Sequence, residues 1–148
     1  MRILIVYDSR TGTTRQAAEE MASIARGADH ECRVASIRDI PADEVSDYDA
    51  VCVGSWTQGL FFVLQHPTKA SLRFIDSIPP LYGKPAAVFC TYKTSPGGLL
   101  TTLAARLSAR GASVTGRFKS RGASAPDGFL SWVQELPAAT PGAAVEVA

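Results

Sequence analysis

The chain has 148 residues, of which 46% are hydrophobic and 20% charged, and its formal net charge is +1. This length suits one domain, and the composition is that of a globular protein rather than a disordered one. A net charge close to zero gives no support to nucleic-acid binding, and the apolar runs are too short to insert into a membrane. The first residues form a strand-like run without the features of a signal peptide, so we expect a cytoplasmic protein.

Short apolar runs alternate with helical patterns along the chain, and this alternation predicts an α/β fold. The predicted strands lie at residues 2–8, 31–37, 49–55, 84–91 and 112–118. The predicted helices lie at residues 13–26, over about ten residues after Pro67, at 97–110 and at 127–136. Strands joined by helices pair in parallel, so we predict a three-layer sandwich around a five-stranded parallel sheet. Residues 1–136 form the predicted domain, and residues 137–148 are predicted to be a flexible tail.

The loop after the first strand is rich in hydroxyl groups and precedes a predicted helix; it comprises Ser9, Arg10, Thr11, Gly12, Thr13 and Thr14. A helix N-terminus offers unpaired backbone N–H groups and partial positive charge, which favour an anion. Each hydroxyl can donate one hydrogen bond, and a glycine lets the backbone approach a ligand closely. An ordinary helix cap is the alternative, and Thr13 and Gln16 have capping-box spacing. Because a cap needs only one hydroxyl, we interpret the loop as a phosphate site.

The same loop resembles a known family. Ser9, Thr11, Gly12 and Thr14 match the pattern [ST]-x-T-G-x-T, which is similar to the FMN-phosphate loop of flavodoxins, and it directly follows the first strand as it does there. The order of elements over residues 1–136 is also similar to that of short-chain flavodoxins. The resemblance implies the strand order 2-1-3-4-5, FMN as the cofactor at the point where strand order reverses, and a redox partner protein.

Two further loops follow predicted central strands and can enclose a flavin ring. The candidate residues after the third strand are Ser55, Trp56, Thr57, Gln58 and Gly59, and those after the fourth are Thr91, Tyr92, Lys93, Gly97 and Gly98. The resemblance implies that Trp56 covers one face of the ring and Tyr92 the other, as aromatic side chains commonly do. It also implies that the peptide at Gly59 reorients to accept a hydrogen bond from the reduced flavin. A core aromatic is the alternative for Trp56, and Phe61, Phe62 and His66 receive no role.

Three functions remain open at this point. The first is an FMN-dependent electron carrier, which needs no catalytic acid or base, and we predict no catalytic residue. The second is an NAD(P)H- or quinone-linked FMN reductase, because the Gly97-Gly98 helix entry resembles flavodoxin-fold quinone reductases. The third is a regulatory module that has lost the flavin. No metal site is predicted, since Cys32, Cys52 and Cys90 lie within apolar runs and are expected to be buried thiols.

The charges in these loops bear on the redox potential. Arg10 and Lys93 lie in candidate loops, and the loops after the third and fourth strands contain no acidic residue. Positive charge favours the anionic reduced flavin, so we predict a second reduction potential less negative than in acidic flavodoxins. Solvated surface charges are the alternative interpretation of both residues.

Overall fold

The computed structural model describes residues 1–56, 58–60, 63–92 and 97–137, with the backbone alone for 58–60 and 63–66. Five of its strands form one parallel sheet: β1 (Arg2–Asp8), β2 (Glu31–Ser36), β3 (Ala50–Trp56), β6 (Pro85–Thr91) and β7 (Ser113–Ser120). Their spatial order is β2-β1-β3-β6-β7. Counted along the chain, this is the order 2-1-3-4-5, which confirms the predicted parallel sheet and its topology.

Four helices cover the two faces of the sheet: α1 (Thr13–Gly27), α2 (Lys69–Asp76), α3 (Leu99–Ala109) and α4 (Phe129–Glu135). Met21 of α1 and Phe129 of α4 belong to one buried cluster, which packs on one face. Ile75 of α2 and Leu103 of α3 belong to a second cluster on the other face. The chain therefore forms the three-layer sandwich expected from its alternating apolar and helical segments.

The central and edge strands differ in burial, as their sequences predict. Every residue of β6 after Pro85 is buried, and β3 is buried up to Trp56, because both faces of these strands are covered. The edge strands β2 and β7 alternate between exposed and more buried positions. Continuous apolar runs are typical of strands at the centre of a parallel sheet, where helices cover both sides.

Strand register aligns the carboxyl ends of the three central strands. Asp8 of β1 pairs with Ser55 of β3, and Trp56 of β3 pairs with Thr91 of β6. Neighbouring strands lie about 4.8 Å apart, so residues at these ends can share one site. This carboxyl edge, between β1, β3 and β6, is the place where an open parallel sheet binds ligands.

Two short elements were not predicted. The segment between the third predicted strand and Pro67 was expected to be a loop, but β4 (Gln58–Leu60) and β5 (Val63–His66) pair there as an antiparallel hairpin. A 3-10 helix (Ala42–Asp47) lies in the connection between β2 and β3. Both are additions to the predicted sequence of elements and leave the main sheet unchanged.

The predicted burial of the three cysteines is confirmed for two of them and is only partial for Cys32. Cys52 and Cys90 are buried, Cys32 is half-buried, and all three are free thiols. No helix in the described part of the chain is long and apolar enough to cross a bilayer. The described residues likewise contain no group of three or more histidine, cysteine and acidic side chains that could hold a metal ion.

Candidate functional site

The loop between β1 and α1 changes direction at Gly12, which is the N-cap of the helix. Gly12 has a φ of 92°, in the left-handed region that favours glycine, and the space beside its α-carbon is open to 4 Å. Its carbonyl accepts the Gln16 N–H at 2.9 Å, which begins the helix. The capping-box interpretation of Thr13 and Gln16 is therefore wrong, because the cap position belongs to Gly12.

The Ser9 hydroxyl holds this loop in shape. Its Oγ accepts hydrogen bonds from the backbone N–H of Gly12 at 3.0 Å and, more weakly, from that of Arg15 at 3.4 Å. The hydroxyl proton is not used in these bonds, because the oxygen accepts both, and it stays available to a ligand. Ser9 therefore fixes the curvature of the loop in addition to any contact with an anion.

The remaining hydroxyls of the loop separate into two groups. The Oγ1 atoms of Thr11 and Thr13 lie 3.3 Å apart at the surface of the loop. Thr14 is buried instead, and its Oγ1 lies 2.7 Å from the Oγ1 of Thr91 at the end of β6. Thr11 and Thr13 thus face outward beside the helix start, whereas Thr14 and Thr91 connect α1 to the sheet from within.

Trp56 stands at the end of β3, beside the loop after β1. Its side chain is half-buried, and the Cζ of Arg10 lies over the indole ring, 5.5 Å from the ring centroid. This distance is typical of a cation–π contact, so Arg10 and Trp56 link the two loops. The adjacent Ser55 is buried, and its Oγ donates to the Trp56 carbonyl at 2.9 Å and accepts the Thr68 N–H at 3.2 Å.

Tyr92 follows β6, one position beyond the strand partner of Trp56. Its side chain is half-buried and packs against the apolar cluster on the α2 and α3 face, and its N–H donates to the Ser120 carbonyl at 3.1 Å. Gly97 has a φ of 55°, and Gly98 is the N-cap of α3; both are exposed. The register thus brings Trp56 and Tyr92 to neighbouring strand ends at one edge of the sheet.

The other candidate residues lie partly or wholly outside the described residues. Thr57 and Lys93 are outside them, as are Phe61 and Phe62. The backbone of Gln58 and Gly59 belongs to β4 and that of His66 to β5, with their side chains not described.

A buried carboxylate at this edge was missed by the sequence analysis. Asp8, the last residue of β1, is only 5% exposed, and its Oδ2 accepts a hydrogen bond from the Thr68 hydroxyl at 2.5 Å. The Thr68 oxygen in turn accepts the Ser71 N–H at 3.1 Å and so caps α2. A buried polar network of this kind ties the end of β1 to the start of α2. The signal in the sequence is an aspartate directly after a run of buried strand residues.

An open cavity of about 460 Å³ lies at the same edge. It is lined by residues from the ends of β1 and β3, from the turn after β2 and from the start of α2: Asp8, Ser9, Arg10, Arg38, Trp56, Thr68, Lys69 and Ala70. Its volume lies within the range of small-molecule sites. The site therefore combines an outward-facing hydroxyl loop, an indole ring and a positively charged cavity.

The chain matches the model of a known protein family. The flavodoxin family model matches residues 5–135, and the chain belongs to that family. The family assignment confirms the predicted resemblance and indicates FMN as the cofactor. No match was found among curated proteins.

Solved structures of flavodoxins share the fold. Flavodoxin 2 from Bacillus cereus is 26% identical over 90% of this chain and 93% of its own, with a TM-score of 0.68. A flavodoxin from the domain Archaea is 24% identical over 92% of this chain and 93% of its own, with a TM-score of 0.67. Two-electron reduced flavodoxin from Megasphaera elsdenii is 21% identical over 89% of this chain and 96% of its own, with a TM-score of 0.72. The last two similarities establish the fold alone.

The residues of the phosphate loop fit the phosphate end of FMN. Gly12 leaves open space beside the loop, and the first turn of α1 contains no acidic side chain that would repel an anion. The outward hydroxyls of Thr11 and Thr13 stand next to the positive end of the helix. A phosphomonoester is favoured at such a position because donors and the helix dipole act in the same direction.

Proposed function

We propose that this protein is an electron carrier that exchanges electrons with redox partner proteins through a bound FMN. Bound FMN supplies the redox chemistry, because its ring accepts and returns electrons one or two at a time. The residues of this chain bind the cofactor, orient its ring and leave one edge accessible to a partner. A carrier needs no acid or base of its own, which agrees with the prediction of no catalytic residue. The predicted cytoplasmic location is part of the proposal.

The observation that carries the proposal is the geometry of the loop between β1 and α1. Gly12 adopts a left-handed conformation, and Thr11 and Thr13 present hydroxyls 3.3 Å apart beside the helix start. In the proposal these hydroxyls and the backbone N–H groups of the first turn hold the phosphate. Ser9 keeps the loop curved by accepting hydrogen bonds from the backbone, and in the proposal its O–H donates a hydrogen bond to the phosphate.

Two buried threonine side chains hold this loop against the sheet. The 2.7 Å contact between Thr14 and Thr91 joins the first turn of α1 to the end of β6. In the proposal Thr14 acts as a positioning residue, since its hydroxyl is buried with that of Thr91. The contact also fixes the distance between the phosphate loop and the loop that carries Tyr92.

The aromatic residues of the next two loops are proposed to hold the flavin ring. The pairing of Trp56 with Thr91 puts Trp56 and Tyr92 at neighbouring strand ends. Offset or edge contacts between such rings and a flavin contribute about 0.5–1.5 kcal/mol beyond their buried area. The proposed set of flavin-binding residues also includes seven others from the same two loops: Ser55, Thr57, Gln58, Gly59, Lys93, Gly97 and Gly98.

The site also supports the predicted direction of the second reduction potential. Arg10 lies over the ring of Trp56, and Arg38 and Lys69 line the same edge of the sheet. Their positive charges favour an anionic reduced ring, although solvent weakens the effect for exposed side chains. The buried carboxylate of Asp8 acts in the opposite direction, and we propose that the three cations together outweigh it.

Titration of the FMN-free protein with FMN tests the cofactor site. We expect the double variant Thr11→Ala/Thr13→Ala to bind FMN at least tenfold more weakly, since each lost hydrogen bond to a charged group is worth about 1.5–3 kcal/mol. Thr101→Ala, an exposed threonine on α3, is the matched control and should bind FMN like the unaltered protein. A protein that binds no FMN in calorimetry, and stays colourless with excess FMN, would contradict the proposal.

The reductase remains the second candidate, supported by the two exposed glycines at the start of α3. Steady-state oxidation of NADPH or NADH by the FMN-loaded protein separates the two functions. A carrier shows no turnover with a quinone acceptor until a partner reductase is added. Turnover by the protein alone would favour the reductase and exclude a role limited to electron transport.

A further inference from the structure

One third of the chain contains positive charges and no negative ones. Residues 77–126 have no aspartate or glutamate and hold seven of the fifteen cations: Lys84, Lys93, Arg106, Arg110, Arg117, Lys119 and Arg121. The other eight cations and all fourteen acidic residues lie in the rest of the chain. The net charge of +1 is therefore the sum of a positive segment and a negative remainder.

The positive segment folds as one side of the molecule. It forms β6, α3 and β7, and the two strands are the last two in the order of the sheet, with α3 packed against both. The helix α4 also contacts β7 and brings Asp127 before it and Glu135 at its end. However, α4 packs on the opposite face of the sheet from α3. The separation of charge along the sequence thus becomes a separation in space.

The edge strand β7 presents part of this charge to solvent. Arg117 and Lys119 are exposed, whereas the residue between them is buried, so both lie on one face of the strand about 6.6 Å apart. Arg121, also exposed, follows two residues later, and these three residues form the β7 stripe. Neither Arg117 nor Lys119 has an ion-pair partner in the part of the chain that the structure describes. Arg106 of α3, by contrast, pairs with Asp76 at 2.5 Å.

The β7 stripe ends beside the proposed flavin site. Ser120 at the end of β7 accepts the N–H of Tyr92 at 3.1 Å, and Arg121 is the next residue. The phosphate loop follows β1, which is three strand positions from β7, or about 14 Å at the usual strand spacing. This separation exceeds the screening length of about 8 Å at physiological ionic strength. The phosphate of a bound FMN would therefore leave the charge of the stripe in place.

Charges on an edge strand have a simpler explanation, because they prevent the strand from pairing with another chain. Charges of either sign meet that need, so it does not account for fifty consecutive residues without a carboxylate. A surface of one sign next to a redox centre instead attracts a partner of the opposite sign and accelerates the encounter. The position and the sign of the stripe therefore favour a docking role.

We propose that the redox partner of this protein docks on the β7 stripe through an acidic face and exchanges electrons with FMN at the flavin edge near Tyr92. Carboxylates of the partner pair with Arg117 and Lys119, and Arg121 adds attraction beside the ring. This inference rests on the proposed function, since docking beside Tyr92 serves electron transfer only when FMN is bound. The positive charge of the stripe itself does not depend on FMN.

Stopped-flow reduction of the FMN-loaded protein by a reduced plant-type ferredoxin, an acidic [2Fe–2S] protein, tests the proposal. One electron passes from the reduced cluster, which is oxidised, to FMN, which is reduced. We expect the second-order rate constant to fall at least about tenfold as sodium chloride is raised from low to high concentration, because salt screens the attraction. At low salt, Arg117→Gln/Lys119→Gln should lower the rate constant at least about fivefold and weaken its dependence on salt.

The matched control removes two exposed cations from α1 and α2. Arg26→Gln/Arg73→Gln has the same net charge as the stripe variant and should keep the rate constant within about twofold of the unaltered protein. Equal losses in the two double variants would show that net charge, rather than the stripe, sets the rate, and would overturn the proposal. A rate constant that rises with salt would overturn it as well.

A second measurement needs no FMN and so separates the docking site from the proposed function. Fluorescence anisotropy of a labelled polyglutamate peptide should show saturable binding, at least about fivefold weaker in the stripe variant and unchanged in the control. No binding, or tighter binding of a single-stranded DNA of the same net charge, would overturn an acidic protein face as the occupant. If the protein binds no FMN, the proposed function fails, and the peptide titration still decides whether the stripe holds an acidic surface.

Discussion

Gly54 of β3 has no room for a side chain. A β-carbon built at this position would lie 2.1 Å from Cζ of Phe89 on the neighbouring strand, far inside van der Waals contact. We expect Gly54→Ala to lower the free energy of unfolding by about 1–3 kcal/mol or more, because Phe89 is fully buried and cannot move without displacing its neighbours. Urea unfolding of the purified variant measures this loss.

Gly27→Ala is the control for this substitution. Gly27 ends α1, and a β-carbon there meets nothing within 4 Å. The change should alter the free energy of unfolding by less than about 1 kcal/mol, since alanine has the higher helix propensity. Similar losses of free energy of unfolding in the two variants would show that contact with Phe89 is not what prevents a side chain at position 54.

The Cys32 thiol makes the free energy of unfolding depend on pH in the alkaline range. Burial raises the pKa of its thiol from the ordinary value of 9.0 to about 11, against the opposing charge of Arg26. The folded state therefore holds the thiol proton more tightly than the unfolded state does. The protonated thiol contributes fully to the free energy of unfolding below pH 9, and this contribution is lost as the pH rises to about 11. Burial also raises the pKa of Cys52, which acts in the same direction.

We expect the free energy of unfolding to fall between about pH 9 and pH 11, and to fall less in Cys32→Ala. Denaturant unfolding at several pH values in this window measures both slopes, and the difference between the two proteins isolates Cys32 from other groups that titrate there. Parallel slopes for the two proteins would contradict the raised pKa.

At the scale of secondary-structure elements, Thr68 connects β1 to α2. Its hydroxyl donates to Asp8 and accepts the Ser71 N–H as the N-cap of α2. We expect Thr68→Val to lower the free energy of unfolding by about 2 kcal/mol or more, because it removes a helix cap and a hydrogen bond to a buried carboxylate. Thr68→Ser keeps the hydroxyl and should lose less than about 1 kcal/mol. Equal losses in chemical denaturation would show that the hydroxyl contributes no more than the methyl group, because valine lacks only the hydroxyl and serine lacks only the methyl group.

The elements that the sequence predicted are those with a strong local signal. The apolar run of β1 and the helical spacing of Ala17, Met21 and Ala25 in α1 identify buried faces without knowledge of the partner. The hairpin of β4 and β5 has no such signal. Its residues, Gln58 to His66, lack the two-residue Asn-Gly or Asp-Gly turn that marks a hairpin in a sequence. The pairing of these two short strands is decided by the surrounding fold.

At the scale of the whole molecule, FMN binding should stabilise the fold. A ligand at about a hundred times its dissociation constant adds about 2.7 kcal/mol to the free energy of unfolding when it binds only the folded state. The midpoint of thermal unfolding should therefore rise by several degrees when FMN is added to the FMN-free protein. Scanning calorimetry measures this shift, which should be smaller for Thr11→Ala/Thr13→Ala at the same FMN concentration. An unchanged midpoint at saturating FMN would contradict binding to the folded state.

The sequence by itself determined the strand and helix order, the parallel sheet and the loop that resembles the phosphate site of flavodoxins. These follow from periodicity and from residue types that are neighbours along the chain, such as the hydroxyls and glycine of residues 9–14. Only the tertiary structure decided that Thr14 turns inward to Thr91, that Asp8 meets Thr68, and that Arg38 and Lys69 line one cavity with Trp56. The partners in each case lie tens of residues apart, so strand register and helix packing, rather than local pattern, bring them together.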